Sequence, residues 1–124
     1  MSDSIDSEAS GRSILLVDDD ATFCERAARA LRDRGYRVRT ALNASDGWQA
    51  TTVEAPEFAV LDLRMPGRSG LELASDLRRA FPGIKIVLLT GLAKPDDRDA
   101  RDLQMALLRK PADVDDILAA LGLL

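Results

Sequence analysis

Four apolar runs in this chain give way to residues that can do chemistry. Ser13-Ile14-Leu15-Leu16-Val17 leads into Asp18 and Asp19. Phe58-Ala59-Val60-Leu61 ends on Asp62, and Ile84-Lys85-Ile86-Val87-Leu88-Leu89 ends on Thr90. Met105-Ala106-Leu107-Leu108 gives way to Arg109-Lys110-Pro111. If these four ends meet, three carboxylates share a site with one hydroxyl and one ammonium. Carboxylates ~5 Å apart repel by roughly 3 kcal/mol per pair at an effective dielectric near 20. Lys110 alone leaves excess negative charge. A hard divalent cation with oxygen ligands offsets it: Mg2+ first, with Mn2+ as a substitute. With a metal and Lys110 drawing in a phosphoryl group, Asp62 is placed to act as its nucleophile. Thr90 would offer its hydroxyl to a phosphoryl oxygen, and Gly91 leaves room beside it.

The absence of histidine narrows the field. Ser-His and Cys-His nucleophile pairs and His-based zinc sites are excluded. The single cysteine, Cys24, excludes an internal disulfide and reads as a packing residue. A formal charge of −4 argues against a general nucleic-acid binder. No apolar run approaches the roughly 20 residues of a membrane span. The polar, acidic N-terminus (Asp3, Asp6, Glu8) is unlike a signal peptide, so the cytoplasm is the default compartment.

The elements that must position these residues follow from periodicity. Residues 1–11, rich in Ser and acids, predict a disordered lead-in, and residues 12–124 a single domain. Ser13–Val17 is unbroken and apolar, as expected of a strand buried on both faces. From Ala21 the period becomes helical, with Phe23, Ala27, Ala30 and Leu31 on one stripe and Gly35 as a C-cap. The alternation of Tyr36–Ala41 predicts a half-exposed edge strand, its arginines discouraging edge-to-edge pairing. The arginines from Arg26 to Arg39 read as a solvated face. Asn43 caps a second helix running to about Val53 that carries Trp48 in the core or at its rim. Phe58–Leu61 is the third strand, and Gly67–Gly70 a loop. Leu71, Leu73, Ala74, Leu77 and Ala80 mark a third helix, and Ile84–Leu89 the fourth strand. A polar helix is expected from Lys94–Asp97 to about Leu103, then a short fifth strand over Met105–Leu108. Asp113 caps a last helix carrying Val114, Ile117, Leu118 and Leu121. Five strands alternating with helices imply an α/β fold: an open, doubly wound, five-stranded parallel sheet with helices on both faces. Active sites in such sheets lie outside the carboxyl ends of the strands, where residues 18, 19, 62, 90 and 110 would gather.

Each residue also has an unremarkable explanation. An Asp after a strand is often a helix N-cap, which is our reading of Asp20. Asp62 could serve a turn, Thr90 could close a strand, and Lys110 could be a solvated charge. That all do so at one sheet edge is the weaker account, the more so with three lysines in the chain.

These residues resemble the response-regulator receiver domain. The resemblance rests on Ile14–Asp20, Leu61–Leu73, Ile86–Gly91 and Arg109-Lys110-Pro111, and spans residues 13–124. It implies a flavodoxin-like sheet in the order 2-1-3-4-5. It implies that Asp62 accepts a phosphoryl group from a histidine kinase or phosphotransfer protein. Asp18, Asp19 and Asp62, with the main-chain carbonyl of Arg64, would hold Mg2+, and Thr90 and Lys110 would contact the phosphoryl group. The domain would catalyse only its own phosphorylation and dephosphorylation. It would signal by repositioning the face made by the fourth helix, the fifth strand and the fifth helix, and a homodimer dependent on phosphorylation is compatible with it. The downstream effector is left open. A weaker resemblance, through Val17–Asp20, Arg34-Gly35-Tyr36 and Lys110–Asp113, is to receivers of redox-responsive global regulators. Those carry a DNA-binding segment after the receiver, whereas this sequence stops at Leu124, as a stand-alone receiver or a domain of a longer protein.

Two departures bear on output. Leu107 stands where the family usually has an aromatic residue, and the Thr90–Lys110 interval is about two residues short, with Gln104-Met105 in place of a Gly-Ala pair. They motivate an alternative, an interaction module that ignores phosphorylation. A phosphohydrolase is disfavoured, since Arg64 occupies the position of its expected general acid.

Overall fold

Ser13–Val17 is buried along its whole length, and this follows from its place. It is β1, flanked in parallel by β2 (Arg37–Ala41) on one side and β3 (Phe58–Asp62) on the other. β4 (Lys85–Thr90) and β5 (Ala106–Arg109) extend the sheet, giving the order β2-β1-β3-β4-β5. This is the doubly wound parallel sheet expected. The structure, a computed structural model, describes residues 12–91 and 105–124. The lead-in and the polar helix expected before Leu103 lie outside the described residues. Among the described residues, four helices cover the sheet: α1 (Ala21–Asp33), α2 (Ala44–Ala50), α3 (Gly70–Ala80) and α4 (Val114–Ala120).

Strand alternation divides the core in two. Ile14, Leu16, Val60, Val87 and Leu89 face Ala27, Ala28 and Leu31 of α1 and Ile117 and Leu118 of α4. Leu15, Val17, Ala59, Leu61 and Leu88 face Ala44 of α2 and Leu73, Ala74 and Leu77 of α3. Because both faces are covered, the central strands read as continuous apolar runs. Trp48 is half-buried against the second cluster, at the rim.

Local chemistry fixes the helix ends. Asp20 accepts from the Phe23 N–H, Asn43 from that of Asp46, and Asp113 from that of Asp116. Ser69 and Glu72 form a reciprocal capping box on α3. Gly35, at φ 98°, follows α1. Its N–H donates to the Arg32 carbonyl, and that of Tyr36 to Leu31, a Schellman closure that needs a left-handed residue.

Several boundaries differ from the sequence expectation. The buried stripe of α1 is Cys24, Ala27, Ala28 and Leu31. It is rotated away from Phe23 and Ala30, which leaves the Phe23 ring partly buried at the edge of the first cluster. α2 stops at Ala50, short of Val53: the N–H groups of Thr51, Thr52 and Val53 bond three residues back. The Thr51 and Thr52 hydroxyls also donate to the Trp48 and Gln49 carbonyls, competing with continuation of the helix. On β2, Thr40 is exposed where strict alternation would bury it. α3 begins at Gly70 rather than after it, β3 takes in Asp62, β4 takes in Thr90 but leaves out Ile84, and β5 lies one residue later than expected. The arginines from Arg26 to Arg39 are exposed, as expected of a solvated face. Arg37 and Arg39 reach Glu54, surface pairs that contribute little to stability.

Candidate functional site

The carboxyl ends of β1, β3, β4 and β5 meet as the sequence predicts. In each strand one set of alternating residues (Leu16, Val60, Leu108) packs toward α1. Asp18, Asp62 and Lys110 continue that alternation two residues on, so the same period that builds the first core brings them together. Each is held differently. Asp18 is fully buried; its N–H donates to the Ala41 carbonyl at 3.1 Å, and its Oδ1 accepts from the Asp20 N–H at 2.9 Å. Asp19 is exposed. Asp62 is 7% exposed, the last residue of β3, and its Oδ1 accepts from the Arg64 N–H at 3.4 Å. Thr90 is buried as the last residue of β4, and its carbonyl accepts from the Lys110 N–H at 2.8 Å. A cis peptide joins Lys110 to Pro111. Arg64 is exposed in the loop after β3.

Ligand oxygens of Asp18, Asp19 and Asp62 lie within 4.8 Å of one another. The Lys110 ammonium stands 2.9 Å from Asp18 Oδ2 and 3.5 Å from Asp62 Oδ2. Asp18 Oδ2 is sealed from solvent, and the Lys110 ammonium is the charge that faces it. Three carboxylates gathered around one ammonium, one of them fully buried, keep an excess of negative charge and suit a hard divalent ion. The donor set therefore fits magnesium.

Electrostatics agree. Burial pushes the Asp62 carboxyl up to about 6, with the Asp18 charge adding to the rise and Lys110 and the Arg64 N–H opposing it. For Lys110, burial acts downward, but contacts with Asp18 and Asp62 outweigh it and hold the ammonium above its ordinary value. Cys24, on the buried stripe, donates from Sγ to the Asp18 carbonyl at 3.3 Å. Burial raises its thiol to about 11, so it serves as a packing residue and not a reactive thiolate.

Sequence reasoning passed over one residue that shapes the site. A Cβ on Gly70 would lie 2.0 Å from the Asp62 carbonyl oxygen, so only glycine lets the start of α3 seat against the end of β3. The Gly70 N–H donates to the Leu63 carbonyl there. The signal was present, a glycine between a serine cap and an apolar stripe, but it reads equally well as a loop residue.

Magnesium binding gives an expected outcome. At about a hundredfold excess over its dissociation constant, Mg2+ should stabilise the fold by about 2.7 kcal/mol. Asp18→Asn should abolish most of that gain. Thermal melts with and without Mg2+ compare the two; equal gains in both proteins would place the ion elsewhere.

Comparison with known proteins agrees with this geometry. The model of the response regulator receiver domain matches residues 14–122. The chain is 42% identical over 114 residues to the photosynthetic apparatus regulatory protein RegA of Rhodobacter capsulatus, covering 90% of this chain and 62% of RegA. It is 38% identical over 112 residues to the acid tolerance regulatory protein ActR of Rhizobium meliloti, covering 89% of this chain and 58% of ActR. The chain thus spans less than two thirds of the length of either relative. Among solved structures, a response regulator from Burkholderia pseudomallei, with a phosphorylated aspartic acid, calcium ion and citrate, superposes with a TM-score of 0.82. It is 37% identical over 89% of this chain and 66% of that one. A CheY-like receiver domain from Methanospirillum hungatei also gives 0.82, at 27% identity over 90% of both chains. Among the described residues no helix is long and apolar enough to cross a membrane. With the sheet order, the acidic cluster and the family match in agreement, this chain belongs to the response regulator receiver domains of two-component systems.

Proposed function

We propose that Asp62 is the phosphoryl acceptor and that a histidine kinase or phosphotransfer protein is the donor. An Asp62 carboxylate oxygen attacks phosphorus, the bond from phosphorus to the donor's imidazole nitrogen breaks, and the imidazole leaves with its electron pair. Asp18, Asp19 and Asp62, with the Arg64 main-chain carbonyl, are the groups that would hold Mg2+. When bound, the ion supplies charge neutralisation for the phosphoryl oxygens. Lys110 faces the same oxygens, and Thr90 offers its hydroxyl. The observation that carries this reading is the convergence of three carboxylates within 4.8 Å, with Lys110 3.5 Å from the acceptor.

The output step is the movement of Thr90 toward the phosphoryl group, which reshapes the face that carries β5 and α4; the fourth helix expected to share that face lies outside the described residues. The hydrogen bond from the Lys110 N–H to the Thr90 carbonyl supports this coupling, because it ties the two phosphoryl-facing residues across adjacent strands. A second reading, partner binding indifferent to phosphorylation, draws on Leu107, which lies half-buried on β5 where an aromatic would normally act.

The test is an intact mass after incubation with a small acyl phosphate and Mg2+. One added phosphoryl group is expected in the wild type and none in Asp62→Asn. No addition, or an unchanged yield in the variant, rules the acceptor assignment out.

A further inference from the structure

We infer that Phe23 is a positioning residue for Lys110, an inference that rests on the phosphoryl-acceptor reading. Phe23 was expected on the inward stripe of α1, but the stripe turns away from it and leaves the ring half-buried at the edge of the first core. There the Lys110 ammonium stands 5.6 Å from the ring centroid, within range of a cation–π attraction. The Phe23 backbone is fixed as well, since its N–H donates to Asp20 Oδ1 at 3.1 Å.

Lys110 has need of such a neighbour. Its side chain is 30% exposed, and a lysine stem has many rotamers, most of which would carry the ammonium into solvent. Asp18 and Asp62 attract it from the inner side at 2.9 and 3.5 Å. Once a phosphoryl donor or a cation competes for those carboxylates, their hold weakens. The ring face does not compete for the same oxygens, so it keeps Lys110 over the site through the exchange. In this chain the aromatic beside the lysine comes from α1, while β5 carries Leu107 three residues before it.

Two measurements test this. The first is the rate of phosphorylation by a small acyl phosphate with Mg2+ in wild type, Phe23→Leu and Phe23→Tyr. Phe23→Leu should be about three- to tenfold slower, and Phe23→Tyr, which keeps the ring face, should restore the rate. The second is the NMR shift of the Lys110 side-chain methylene protons nearest the ammonium, read without any donor. They should be moved upfield by the ring in wild type and Phe23→Tyr, and return to ordinary lysine values in Phe23→Leu. A wild-type rate in Phe23→Leu, or Lys110 shifts that do not respond to loss of the ring, overturns the inference. Should Phe23→Leu fail to fold, Phe23→Met serves in its place under the same criteria. A wild-type protein that takes no phosphoryl group sinks the acceptor reading, whereas the shifts still decide whether the ring holds Lys110.

Discussion

Asp62→Asn is expected to be more stable than the wild type, by ~1–3 kcal/mol at neutral pH without divalent cations, while losing phosphoryl acceptance. Burial first, and Asp18 second, raise the Asp62 carboxyl from 3.8 to about 6. A raised carboxyl pKa means that the folded state holds its proton over a range where the unfolded state has lost it. The neutral form therefore contributes its full stability below about pH 4, and that contribution is lost as pH rises through about 6. At neutral pH the wild type carries the whole cost of a buried carboxylate near Asp18. Asparagine keeps the shape and removes the charge. The attraction to Lys110, which opposes the rise, is already contained in the value of about 6. Denaturant titrations of both proteins at about pH 4.5 and about pH 7 in a chelator isolate this carboxyl through the difference between them. The gap should open with pH; a gap that is constant or closes as pH rises contradicts the electrostatic account. The same substitution thus separates the proposed function from folding: Asp62 costs the fold stability, which the proposed acceptor role would explain.

Gly70→Ala is expected to cost about 3–5 kcal/mol, above the usual overpacking cost of about 1–3 kcal/mol, because the clash is with backbone. The added Cβ would meet the Asp62 carbonyl oxygen at 2.0 Å and its carbonyl carbon at 2.8 Å. Both are backbone atoms of a strand hydrogen-bonded on two sides, so neither can step aside as a flexible side chain would. Either α3 lifts off the end of β3 or β3 itself shifts, and both disturb the site. Gly83→Ala is the control, with nothing within 4 Å of the new Cβ; it should be near neutral. Equilibrium unfolding of the two variants gives the comparison, and equal stabilities would show that α3 is not held against Asp62 as described.

What was legible in the sequence follows from which contacts are periodic. Unbroken apolar runs at Ser13–Val17 and Phe58–Leu61 revealed strands covered on both faces, and with them the sheet edge where Asp18, Asp62 and Lys110 meet. The exposed arginines of Arg37–Ala41 marked the edge strand. Less legible was anything fixed by close approach. The α1 stripe is poorly legible because Phe23 and Ala30 fit the helical period as well as Cys24 and Ala28, which are the residues buried. The early end of α2 depends on two threonine hydroxyls that bond back to the helix, a competition invisible to periodicity. Gly70 carries no signal of its own, because a glycine needed for contact and a glycine in a loop are written alike. Leu107 departs from the family pattern, and it lies half-buried against the second core. The aromatic ring at the site comes instead from α1.

The acceptor assignment is tested most directly by locating the phosphoryl group itself. After phosphorylation with a small acyl phosphate and Mg2+, borohydride reduction converts an aspartyl phosphate to homoserine, and tandem mass spectrometry of the peptides finds the residue. Homoserine at position 62, dependent on Mg2+ and strongly reduced in Lys110→Ala, is the expected result. Homoserine at another carboxylate, or labelling of Asp62 that is indifferent to both Mg2+ and Lys110, would contradict the site as built here.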